Sequence, residues 1–272
     1  DKLVSFGEKL SSFIIAETMK NRGLSAVRKN TQELIVTNSN FTKAEVIYDV
    51  TNQNIQDYFK SASQNITILP GFISKSKLGE ETTLGRGGSD FTAAIIAAAL
   101  KVEQLEIWTD VSGMFTTNPK LVKQAYPINH ISYQEAMELS HFGAKVLYPP
   151  TVQPVLDLNI PIHIKNTMEP EAVGTVISNS DKNGAKPVKG ISNINGIALL
   201  TLQGSGMVGI PGFSKRLFET LSQEKINVIL ITQASSEHSI CIGISEKDAE
   251  AARIAVDKTF ENERETEKIM EK

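Results

Sequence analysis

The stretch Thr82-Thr83-Leu84-Gly85-Arg86-Gly87-Gly88-Ser89-Asp90 sets three glycines, one arginine and two cap-type residues directly ahead of the apolar run 91–100. Glycines leave backbone N–H groups uncovered, and the start of a helix presents such groups to an anion. A guanidinium adds a planar fork of permanent charge that fits a carboxylate or phosphate in a two-point contact. The chemistry implied is capture of a small anionic molecule. Two plainer roles stay open: Ser89 and Asp90 as caps of the following helix, and Arg86 as a surface arginine in a loop.

The elements that must position this loop follow from periodicity. Residues 5–20 carry Leu10, Phe13, Ile14 and Met19 at helical spacing, with Gly23 as a stop signal. Short β-rich runs at 33–37, 65–69, 105–108 and 160–164 alternate with helical patterns at 55–61, 91–100 and 133–141. Such alternation predicts an α/β fold, a mainly parallel sheet with helices on both faces. Sites in these sheets lie at the carboxyl ends of strands, where both the glycine loop and the loop after Trp108 fall. Trp108 itself is expected in the core beside the sheet.

At 272 residues, two domains are expected. The polar, turn-rich stretch 178–187 reads as a linker between a domain at 1–177 and another at 188–272. The second carries the order βαββα, with strands at 197–202, 228–232 and 239–244 and helices at 213–223 and 247–260. That is the ferredoxin-like α+β pattern without its last strand, which leaves a sheet edge to be paired.

Composition narrows the function classes. A net charge of -3 gives no basis for a nucleic-acid surface. No apolar run approaches a membrane span, and no signal peptide is evident. Cys241, the single cysteine, lies in an alternating strand pattern, so a reducing cytoplasmic compartment is expected. His130, His141, His163 and His238 lack metal-ligand spacing, so no metal site is expected from the chain's own residues.

An ordered set of motifs spans nearly the whole chain: Ser5-Phe6-Gly7-Glu8, Gly71-Phe72-Ile73, the loop at 82–90, Thr109-Asp110-Val111-Ser112-Gly113, Thr117-Asn118-Pro119 and Phe142-Gly143-Ala144-Lys145-Val146-Leu147. In this order they resemble the aspartate kinases, which have the amino-acid-kinase fold, and the last third resembles an ACT regulatory domain. Gly206-Met207-Val208-Gly209 and the segment 233–239 are most similar to the aspartokinase part of bifunctional aspartokinase/homoserine dehydrogenases.

The resemblance implies ATP-dependent phosphorylation of the L-aspartate side chain, with ATP and Mg2+ as cofactors. It implies Arg86 and Asp90 as catalytic residues, and Glu8, Phe72, Thr83, Arg86 and Ser89 around the aspartate. Glu8 would equally complement the dipole of its own helix. The nucleotide end would draw on Thr109, Asp110, Gly113, Phe115, Lys120 and Lys145, the lysines neutralising phosphate charge unless they are simply solvated. Phe115, Asn118, Lys120 and Tyr148 stand where the family commonly has Tyr, Asp, Arg and His.

A Lys-Phe-Gly-Gly-Thr type loop, expected at the start of such kinases, does not occur in these 272 residues. The chain is therefore expected to be a piece of a longer protein, with weak or no turnover alone. In the ACT-like part, Met207, Gly209, Asn227 and Gln233 are implied as effector contacts, threonine ahead of lysine, with a homodimer or higher oligomer formed there. Two alternatives stay open: another amino-acid kinase, or an amino-acid-binding and dimerising module only.

Overall fold

The computed structural model describes residues 1–141, 147–148, 152–179, 188–233 and 238–265. The chain divides into two compact units, Asp1–Asn193 and Ile194–Lys272.

The first unit opens with α1 (Ser5–Asn21), β1 (Ala26–Arg28), β2 (Val36–Thr37), α2 (Tyr48–Ser61) and β3 (Ile66–Ile68). It continues through β4 (Ile73–Ser76), β5 (Glu81–Thr83), α3 (Gly88–Leu100) and β6 (Leu105–Thr109). The series closes with β7 (His130–Ser132), α4 (Tyr133–His141), α5 (Gln153–Leu156), β8 (Ile162–Asn166) and β9 (Thr175–Ser178). Parallel pairing joins β1 to β3, β2 to β4, β6 to β8 and β7 to β9. The antiparallel pairs are β4 with β5 and β8 with β9. The unit is thus the α/β, mainly parallel arrangement, in three small sheets.

Helix α3 explains why the glycine loop is firmly held. Its Ala94 and Ala97 belong to a core with Ile107, Ile131, Ile162, Ile164 and Ile177. Its Ile95 and Ala99 belong to another core with Leu34, Ile35, Ile55 and Leu84. A helix apolar on nearly every side is a buried one, so the loop at its N-terminus stands on a rigid support.

Two expectations are corrected, those for residues 33–37 and for Trp108, while the helix expected over 5–20 is present as α1. Residues 33–37 are not one strand: Thr31–Glu33 forms a 3₁₀ turn, because the Asn30 side chain accepts from the Gln32 N–H at 3.2 Å, and only Val36–Thr37 pairs. In α1, Leu10, Phe13 and Ile14 are more than half exposed, and the buried residues are Ser5, Ser12 and Ala16. The small side chains allow close approach to β1 and β3, with Arg28 Nε donating to Ser12 Oγ at 3.0 Å. Trp108 is 45% exposed rather than in the core. Side chains alternate along a strand, and with Leu105 and Ile107 facing inward Trp108 must face out. There its Nε1 donates to Glu106, and Lys165 Nζ lies 4.7 Å from the ring centre.

The second unit comprises β10 (Ile197–Gln203), α6 (Phe213–Gln223), β11 (Val228–Gln233), β12 (Ser239–Ser245), α7 (Ala249–Thr259) and α8 (Glu261–Glu265). Its antiparallel sheet has the order β10-β12-β11. Leu202, Ile240, Ile242 and Ile244 pack with Leu217 and Leu221 of α6 and Ala252 and Val256 of α7. This is the ferredoxin-like order foreseen from the sequence. Cys241 lies half-buried on the central strand.

Candidate functional site

The chain leaves β5 at Thr83 and enters α3 at Gly88 through two left-handed residues, Gly85 (φ +76°) and Gly87 (φ +70°). Glycine takes this conformation without the clash a Cβ would bring. Gly87 occupies the N-cap with no side-chain cap, so Ser89 and Asp90 are not caps but lie within the first turn. Burial pushes the Asp90 carboxyl above the usual carboxylate range. Arg86 is exposed, and its guanidinium sits 5.7 Å from the Tyr148 ring centre.

Phe72 meets this loop from the strand side. It holds φ +70°, which a bulky residue adopts only under constraint, at about 1–3 kcal/mol. Its carbonyl accepts from Leu84 N–H at 2.9 Å. A Cβ on Gly88 would lie 2.7 Å from the Phe72 ring, and one on Gly71 2.8 Å from Ser89 Cα. Thr83 pairs with Ile73 across the β4–β5 ladder. Phe72, Thr83 and Ser89 therefore converge on one corner beside Arg86 and Asp90.

Glu8 lies in the first turn of α1, which is fastened to β5. Lys9 Nζ and Ser5 Oγ both donate to Glu81, at 2.9 and 3.1 Å. The Lys9 bond is the main reason the Glu81 carboxyl lies below its ordinary range.

A second corner forms where parallel β6 and β8 end. Thr109 carries a hydroxyl 3.2 Å from Asp110 Oδ1, and its carbonyl accepts from Thr167 N–H at 2.8 Å. Gly113 (φ +111°) packs so closely on Thr175 that a Cβ would be 2.5 Å from Oγ1. Phe115 forms a bridge with Pro127. Lys120 is exposed, in a turn where its N–H donates to Asn118 Oδ1 at 3.0 Å. Asn118 thereby keeps the turn-forming role of an Asx side chain. Lys145 lies outside the described residues.

Two groups escaped the sequence reading. Buried Asn166 donates to Ser112 Oγ at 2.8 Å, and Ser112 donates to Glu169 at 2.7 Å, tying the β6 and β8 loops together. Thr92, in α3, binds both Phe72 and Gly88. Its only sequence signal is a hydroxyl inside an apolar run.

In the second unit, a cavity of about 350 Å3 is lined by Met207, Gly209, Ile210, Phe213, Gln233 and Ile240, among others. Three of the effector candidates share it; exposed Asn227, just ahead of β11, is not on its lining. The cavity opens at the start of α6, where unpaired N–H groups favour a carboxylate.

A mainly parallel α/β unit, a glycine loop feeding a buried helix and a second corner at the strand ends are the framework of a small-molecule site in an α/β protein. Residues 1–166 match the amino acid kinase family, to which the chain belongs, and residues 200–260 match the ACT domain. The chain is 39% identical over 257 residues to the bifunctional aspartokinase/homoserine dehydrogenase of Haemophilus influenzae, covering 94% of this chain and 31% of that protein. It is similar to E. coli aspartokinase III solved with lysine and aspartate, at a TM-score of 0.74 and 33% identity, over 90% of this chain and 55% of that one. The same enzyme solved with aspartate and ADP gives 0.67 and 26%, over 95% and 75%. The chain spans about a third of the bifunctional relative's length.

Proposed function

We propose that the protein to which this chain belongs phosphorylates the side-chain carboxylate of L-aspartate with ATP, and that an amino acid regulates it through the ACT unit. The convergence of Phe72, Thr83 and Ser89 on the Arg86 loop carries this reading, since a guanidinium beside the N-terminus of a buried helix suits a carboxylate. The similarity to aspartokinases supports it.

In the reaction an aspartate carboxylate oxygen forms a bond to the γ-phosphorus, the bond from that phosphorus to the β–γ bridging oxygen breaks, and 4-phospho-L-aspartate and ADP result. Transfer of this kind asks mainly for positioning and charge neutralisation. Arg86 grips the carboxylate that does not react, Glu8 meets the ammonium group, and Phe72, Thr83 and Ser89 shape the pocket. Asp90, in the first turn beside Ser89, completes the aspartate end.

Thr109, Asp110, Gly113 and Phe115 shape the nucleotide end, with Lys120 and Lys145 as point charges for its phosphates. The fit rests on the open strand-end loops and on exposed Lys120. Mg2+ would arrive with the nucleotide, held largely by phosphate oxygens. Among the described residues no cluster of three or more ligating side chains offers a separate metal site, and no helix is long and apolar enough to cross a membrane. The setting proposed is the cytoplasm.

Titration of L-aspartate into the chain is the direct test. Binding is expected, with weak turnover because no Lys-Phe-Gly-Gly-Thr type loop is present. No binding, in a folded sample, sinks the reading.

For the effector we infer threonine ahead of lysine. Calorimetry with threonine, lysine and methionine is expected to show threonine binding alone, lost in Met207→Trp, which fills the cavity. Binding of none would make the unit a pairing module. A homodimer through this unit is supported by Leu199 and Leu230, 66% and 44% exposed, which flank Gly243 on one sheet face. Sedimentation should give twice the chain mass.

A further inference from the structure

Building on the reading of Phe72, Arg86 and Ser89 as aspartate contacts, we propose that Thr92 is a positioning residue whose buried hydroxyl fixes Phe72 against the loop carrying Arg86 and Ser89. Thr92 lies one turn into α3 and is only 3% exposed. Its Oγ1 donates to the Gly88 carbonyl at 2.8 Å and accepts from the Phe72 N–H at 3.0 Å. A hydroxyl can do both at once, so a single atom joins the first turn of the helix to the backbone at Phe72. The Phe72 N–H also points to the Gly88 carbonyl, at a longer 3.3 Å.

The tie matters because of what it holds. Phe72 is left-handed at φ +70°, a conformation that a large side chain keeps only when its surroundings demand it. Two contacts wall it in sterically: Gly88 against its ring and Gly71 against Ser89. The Thr92 hydroxyl is the polar part of that constraint. Without it the walls remain, but the Phe72 backbone loses its shorter hydrogen bond and relaxes toward negative φ. The ring then leaves Gly88, and the pocket wall beside Ser89 moves with it. Thr92 acts through Phe72, being too buried to touch a ligand itself.

Thr92→Val keeps the shape and removes the hydroxyl, while Thr92→Ser keeps the hydroxyl. On the full 272-residue chain, amide hydrogen exchange at Phe72 is read by NMR and aspartate affinity by calorimetry. In Thr92→Val, exchange at Phe72 should quicken about tenfold and aspartate affinity fall about tenfold. The Ile107 and Ile164 amides should be unchanged. Thr92→Ser should stay within about twofold of the parent on both readings. If Thr92→Val does not fold, Thr92→Cys, with its weak donor and acceptor, takes its place.

Parent-like exchange and affinity in the valine variant would overturn the role. So would a serine variant as impaired as the valine one, or exchange that quickens equally at Ile107 and Ile164, which marks general loosening. A parent chain that binds no aspartate defeats the substrate reading alone. The Phe72 amide then decides the positioning role: quickened by valine and restored by serine, or not.

Discussion

Replacing Arg86 by alanine should lower the affinity for L-aspartate about 100-fold or more while leaving the fold intact. The size follows from truncating one partner of a charged, hydrogen-bonded pair that bound aspartate would bury, where about 3 kcal/mol, within the usual range of about 2–5, is a factor of about 100. Arg86 is exposed and its neighbours Gly85 and Gly87 are left-handed, so the loop's course is set by the glycines rather than by the arginine. The thermal midpoint should therefore stay near that of the parent. Arg86→Lys separates charge from shape: an ammonium keeps the attraction but cannot form the two-point contact. It should recover only part of the loss. Parent-like aspartate binding by Arg86→Ala, measured by calorimetry, would remove Arg86 from the site and return it to a surface role.

Gly174→Ala should be among the most damaging single-methyl additions, costing about 2–5 kcal/mol. Gly174 holds φ +72°, where a side chain is strained, and a Cβ there would lie 2.1 Å from the Ile164 carbonyl oxygen. That neighbour is backbone within the β8–β9 pairing, at Ile164 opposite Thr175, so it cannot swing aside. The strands must separate, and Gly113, packed on Gly174 and Thr175, is displaced with them. A midpoint lower by about 5–15 °C is expected for a unit of this size. Gly23→Ala is the control. Its φ of +79° carries the same conformational penalty, but nothing lies within 4 Å of the added carbon, so about 1 kcal/mol is expected. Equal losses at both positions, measured by urea unfolding, would show that conformation alone and not collision governs Gly174.

What the sequence made legible is local. Periodicity placed α4 and α6 at the bounds the structure shows, 133–141 and 213–223, because each has a clear apolar stripe and flanking breakers. The βαββα order of the second unit followed in the same way. Glycines mark the turn at 85–88 by residue type alone. What depended on distant partners stayed hidden. The exposed side of α1 could not be read, since its close packing runs through Ser12 and Ala16 rather than the larger residues. The residue type of Trp108 points to the core, whereas strand alternation at Leu105 and Ile107 points it outward. The left-handed Phe72 and the hydroxyl that binds it are visible only in three dimensions, for nothing in the residues 71–73 or 91–93 announces a contact across 20 positions.

Trp108 has a practical consequence. The chain has one tryptophan, it is partly open to water, and it stands one residue before Thr109 with a lysine over its ring. Red-edge excitation therefore reports on a single corner of the molecule, without labelling. Any ligand that rearranges the loop after β6, or draws Lys165 away, should change the emission intensity of that one indole. The chain carries its own optical gauge of the corner where β6 and β8 end.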